Sequence, residues 1–130
     1  MTDQRPWGAS GIARLGDVTS ADESLVRRGR FLRTRFLLDL FDTSFLVDIV
    51  DGRVVAVSEG PFVTPSWRFA LRAERAAWNR FWASRPAPGS HDLFAMLKRR
   101  ELQIEGDLHP FMANLLYFKA LLGALREDGQ

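Results

Sequence analysis

The chain has 130 residues, of which 46% are apolar and 12% aromatic, and it has no cysteine. That length suits one domain, and so many large apolar groups can offset the entropy of folding, which excludes a wholly disordered protein. The lack of cysteine excludes disulfide frameworks, thiolate metal sites and cysteine nucleophiles, and a formal charge of +2 makes no demand for nucleic acid as a partner.

Residues 1–19 hold Pro6, Gly8, Ser10, Gly11 and Gly16 among scattered charges and read as a flexible arm. Pro6-Trp7 stands where a secretory signal needs an apolar run. No apolar tract approaches the ~20 residues of a membrane span. The end, Glu127-Asp128-Gly129-Gln130, is not a peroxisomal Ser-Lys-Leu address. A cytoplasmic protein is expected.

Ser20-Ala21-Asp22-Glu23 fits a capping box, so a helix is expected from Ser20 to about Gly29. From Arg33 the apolar period falls to two. Phe36, Leu38 and Leu40 alternate with their neighbours, Asp42-Thr43-Ser44 turns the chain, and Phe45, Val47 and Ile49 alternate again. Asp51-Gly52 is a strong hairpin signal, because a type I′ turn needs positive φ at both central residues. Arg53 to Ser58 is the return strand, which completes an antiparallel meander. A loop with Gly60-Pro61 and Thr64-Pro65 leads to a fourth strand with Trp67, Phe69 and Leu71 on one face.

Glu74 to Ala83 reads helical, and Pro86, Pro88 and Gly89 break it. A further helix is expected from Ser90 or His91 to the basic run Lys98-Arg99-Arg100. A short strand Leu102–Glu105 and a last helix from Pro110 to about Arg126 complete the order. This predicts an α+β domain over residues 20–126, a five-stranded, mainly antiparallel sheet covered on one face by helices, with residues 127–130 as a tail.

The last helix carries the stripe Phe111, Leu115, Phe118, Leu122 and Leu125 and a second row, Leu108, Met112, Leu116 and Leu121. A helix apolar over so much of its circumference needs contacts on more than one side. Core burial, the wall of a ligand cavity, a dimer interface and a membrane surface all satisfy that need. The aromatic run Trp67, Phe69, Trp78, Phe81, Trp82 and Phe94 suits either a dense core or an apolar pocket, with Met96 and Met112 as flexible fillers.

Gly52-Arg53-Val54 after an alternating strand, then Met96-Leu97-Lys98-Arg99-Arg100-Glu101-Leu102-Gln103-Ile104-Glu105-Gly106-Asp107 and a closing apolar helix, resemble the sterol carrier protein type 2-like superfamily. The specific part is the basic turn and the strand Leu102, Ile104, Gly106 and Asp107; the likeness as a whole spans about residues 24–126. It implies an apolar tunnel between sheet and helices that holds a fatty acyl chain, sterol, phospholipid or isoprenoid, with the last helix over one end. Bacterial relatives in that superfamily include stand-alone domains and ubiquinone-biosynthesis accessory proteins. The heavy use of Arg over Lys suits a bacterial, GC-rich genome, whereas the family's long N-terminal helix is short here.

On this reading the ligand-lining residues are Phe45, Val47, Trp67, Phe69, Trp78, Phe81, Phe94, Met96, Phe111, Met112, Leu115 and Phe118. They line a site for non-catalytic binding or transfer of a lipid-like ligand, without cofactor or metal. The alternative is an accessory subunit that uses the apolar helix and aromatic cluster as a protein–protein or homodimer interface. His91 and His109 are too few for a metal site and suit helix starts. Asp39, Asp42, Asp48 and Asp51 suit a solvent face and turns, and no activated nucleophile stands out. Arg27, Arg28, Arg30, Arg33 and Arg35 are a candidate contact for anionic membrane.

Overall fold

The computed structural model describes residues 9–83 and 93–125. Strands β1 (Arg33–Asp39), β2 (Ser44–Val50), β3 (Arg53–Glu59), β4 (Phe69–Arg72) and β5 (Gln103–Gly106) form one sheet in the order β3-β2-β1-β4-β5. The meander is antiparallel as expected, β5 runs antiparallel to β4, and β4 lies parallel to β1. Asp51 and Gly52 take φ of 53° and 82°, the left-handed pair that the Asp-Gly signal requires.

Register follows from the alternation. Phe36 faces Val47 and Phe69 across its two neighbouring strands, and Leu38 faces Phe45 and Leu71, which places these side chains on one inner face. The next residues along, Arg35 opposite Asp48 and Asp39 opposite Arg72, form ion pairs on the outer face at 2.6 Å each. A bulge at Asp48/Ile49 leaves Val55 as the extra residue of β3, with its side chain 59% exposed.

The inner face is covered by helices. These are α1 (Ala9–Ala13), α2 (Leu15–Ala21), α3 (Glu23–Arg28), α4 (Arg75–Phe81), α5 (Leu93–Lys98), α6 (His109–Ala113) and α7 (Leu115–Gly123). The first two correct the expected arm of residues 1–19 over residues 9–19; residues 1–8 lie outside the described residues. Ile12 and Leu15 are fully buried in the core, and the buried hydroxyl of Thr19 accepts from Val54 N at 3.1 Å and donates to Gly16 O at 3.2 Å. Glycines and sparse apolar residues hid two short helices that gain their stability from packing on β3 and, for α2, on α7 as well. The cap of α3 is Asp22, which accepts from Leu25 N at 3.0 Å, rather than Ser20.

The single closing helix expected from Pro110 is also corrected. It breaks at Asn114, whose backbone leaves the helical region and whose Nδ2 donates to Pro110 O at 2.9 Å. The side chain thus takes the carbonyl that the i+4 amide of a continuous helix would use. The Ser90–His91 helix start, the Pro86–Gly89 break and the 127–130 tail lie outside the described residues.

Candidate functional site

The side chains between the sheet and α6–α7 form a layer of phenyl rings. Phe36 and Phe69 pair in register on parallel strands, so their rings stack at 5.4 Å and 5°. Phe118 of α7 stands edge-on to both at 5.5 Å, and Phe111 of α6 lies 5.4 Å from Phe118 and 5.9 Å from Phe69. Edge-to-face and offset contacts at these separations are favourable beyond the area they bury. Farther along the layer, Trp78 and Trp82 stack at 5.1 Å, with Phe81 edge-on to Trp78 at 6.0 Å. Both indole N–H groups are satisfied by carbonyls: Trp78 Nε1 donates to Asp39 O at 3.0 Å and Trp82 Nε1 to Leu122 O at 2.9 Å. These bonds fasten α4 to β1 and to α7.

Of the residues expected to line a ligand site, Phe45, Val47, Phe69, Trp78, Phe81, Met96, Phe111 and Phe118 are buried in this one core. Leu115 is half-buried against it. Phe94 and Met112 are instead 39% and 42% exposed. Trp67 departs in another way. It precedes β4, so the strand's alternation does not reach it, and its ring lies toward the outer face, 5.8 Å from the Arg72 guanidinium and close against Gly106.

Phe36, absent from the expected lining residues, shares the layer as the register partner of Phe69. Tyr117 is buried, and burial raises its hydroxyl pKa to about 12. The inner layer therefore offers shape and apolar surface, without a charged group among these rings.

The second row of the closing segment divides. Leu121 is in the core, because the step from Leu116 is five residues, whereas Leu108, Met112 and Leu116 are 48%, 42% and 66% exposed. Leu108 and Met112, at the start and on the body of α6, and Leu116 on α7 thus present apolar surface outward on either side of the break at Asn114.

Two surface grooves lie elsewhere. One, of about 580 Å³, is on the outer face among Arg33, Arg35, Asp48, Val50, Val55, Trp67 and Arg68. The other, of about 530 Å³, is lined by Asp39, Phe41, Arg72, Arg80, Arg100 and Glu101. Trp67 is the one expected lining residue that belongs to either.

Three carboxylates of the meander, Asp39, Asp42 and Asp48, are held by arginines. Asp39 binds Arg72 and accepts from Phe41 N, and Asp48 holds Arg35. The hydrogen bond from Arg75 keeps the Asp42 carboxyl below its ordinary pKa. Asp107, rather than His109, closes the start of α6: its Oδ1 accepts from His109 N at 3.0 Å and its Oδ2 from Arg68 Nε at 3.1 Å. The His109 amide first, and Arg68 second, hold that carboxyl low. His91 lies outside the described residues.

No protein-family model matches the chain. No curated protein matches it either. Solved structures do. A sterol carrier protein 2 crystal structure aligns with a TM-score of 0.73 at 13% identity, covering 88% of this chain and 92% of that one. A conserved hypothetical protein of Thermus thermophilus, described as possibly a sterol carrier protein, aligns at 0.70 and 11% identity over 96% and 92% of the two chains. A ubiquinone synthesis protein, UbiJ-SCP2, aligns at 0.58 and 17% identity over the whole of both chains. The chain has the sterol-carrier-protein-2-like fold.

Proposed function

We propose that this protein binds a lipid-type ligand between the inner face of its sheet and the helices that cover it, without catalysing a reaction on that ligand. The observation that carries this reading is the phenyl layer Phe36–Phe69–Phe118–Phe111, roofed by a helix pair that breaks at Asn114 and carries further apolar surface on its outside. In the closed arrangement the rings meet one another, so a ligand enters the expected tunnel as α6 and α7 shift about Asn114. Phe111 and Phe118 then exchange ring contacts for ligand contacts. Each methylene buried contributes about 0.8 kcal/mol, so a chain of about ten can offset the packing it displaces.

The names of the structural neighbours, sterol carrier and ubiquinone synthesis, favour a sterol, acyl chain, phospholipid or isoprenoid quinone as ligand. Such a carrier works in the cytoplasm and meets membranes reversibly, which gives the arginine-rich surface near Arg27–Arg35 a role in exchange. Solvent extraction of the purified protein followed by mass spectrometry tests the reading. Recovery of a lipid near one per chain supports it. No lipid, together with no displacement of a fluorescent fatty acid, overturns it.

The exposed Leu108, Met112 and Leu116 favour a second reading, an accessory subunit that pairs with a second copy or another protein through α6–α7. A native mass spectrum separates the two. A tight dimer without lipid favours the interface, and a lipid-loaded monomer favours the carrier.

A further inference from the structure

A chain that exchanges a lipid-type ligand has to meet a bilayer. Resting on that reading, we propose that the turn Gly29–Leu32 docks on an anionic membrane surface, with Phe31 entering the interface and Arg27, Arg28, Arg30 and Arg33 against lipid phosphates. Phe31 is 86% exposed, an unusual position for a phenyl ring.

The exposure is built into the fold. Leu32 N donates to Gly29 O at 2.8 Å, and Gly52 N donates to Leu32 O at 3.2 Å. Leu32 is buried, and Gly29 fits so closely that a Cβ there would lie 2.6 Å from the Tyr117 ring. With Gly29 and Leu32 clamped inward, Arg30 and Phe31 must point outward. Arg30 braces the tip: its Nη1 donates to Arg27 O at 2.9 Å and its guanidinium sits 4.7 Å from the Phe31 ring centre.

Charge selects the partner. Arg27, Arg28, Arg30 and Arg33 are exposed, and among the described residues none of them forms an ion pair with a carboxylate. The other arginine of the run, Arg35, is held by Asp48 and drops out of the surface. An apolar tip within uncompensated guanidinium groups matches an interface of acyl chains under anionic head groups.

Co-sedimentation of the full chain with phosphatidylcholine vesicles, with and without phosphatidylglycerol, tests this. Binding is expected to the anionic vesicles alone and to weaken as salt rises. Phe31→Ser should weaken it about tenfold. Arg28→Gln with Arg33→Gln should weaken it about 25-fold, from about fivefold per arginine. Both variants should melt as the parent does, since the altered side chains are exposed.

No binding to anionic vesicles at low salt overturns the proposal. So does binding that Leu116→Ser weakens and Phe31→Ser does not. Ligand binding is read separately, in vesicle-free solution. Lipid recovered without vesicle binding removes the docking surface alone, whereas vesicle binding without any ligand leaves docking in place and removes the carrier reading.

Discussion

The hydroxyl of Tyr117 donates a 2.6 Å hydrogen bond to the carbonyl of Gly52, and so joins α7 to the β2–β3 turn. The same ring closes on Gly29, so one side chain ties the roof helix, the hairpin and the end of α3 together.

Tyr117 is the one tyrosine of the chain, so its titration can be followed by ultraviolet absorbance alone. Burial raises its pKa to about 12, against about 10 for an unfolded tyrosine. The folded state keeps a proton that the unfolded state loses, so stability should be full below about pH 10 and fall as pH rises through about 12. The loss is on the order of 2–3 kcal/mol. Phe in place of Tyr117 leaves the Gly52 carbonyl unpaired and should cost about 1–3 kcal/mol at neutral pH, measured by urea unfolding.

Two glycines should respond to alanine with opposite sign. Gly52 has φ of +82°, and a Cβ there would lie 2.6 Å from Val26 O and 2.8 Å from Gly29. Gly52→Ala should cost about 2 kcal/mol or more. Gly16 lies in α2, where the nearest atom to a Cβ is Val54 O at 3.8 Å, so Gly16→Ala should stabilise by about 0.5–1 kcal/mol. Thermal melts of the two variants check both signs.

Phe118 touches Phe36, Phe69, Phe111 and Tyr117 and is fully buried. Phe118→Ala should lose about 3–5 kcal/mol of stability by opening a cavity in the ring layer. On the proposed function, the same variant should change the affinity for a fluorescent fatty acid, because the ligand both displaces that ring and packs against it. An unchanged affinity in a folded variant would place the ligand elsewhere.

Leu116 is 66% exposed and should tolerate Leu116→Lys with a stability change within about 0.5 kcal/mol. If α6–α7 forms a dimer, the same change should split it, which a native mass spectrum reads directly.

Much of the fold was legible in the chain because its signals are local. The alternation of Phe36, Leu38, Phe45, Val47 and Ile49 and the Asp51-Gly52 turn set the meander and its inner face, since a strand's side-chain period is two and a type I′ turn needs those residues. The five strands, the helical cover and the likeness to the sterol-carrier fold were all readable at that level. What only the tertiary structure decided depends on partners distant in sequence. Ile12 and Leu15 make helices of an expected arm because β3 lies beneath them. Asn114 breaks the closing helix through its own side chain, and Trp67 turns outward because β4 starts two residues later. The sequence could show that α6–α7 is apolar nearly all round. Packing decided which row meets the rings and which meets solvent, because burial is a property of the surface a residue faces.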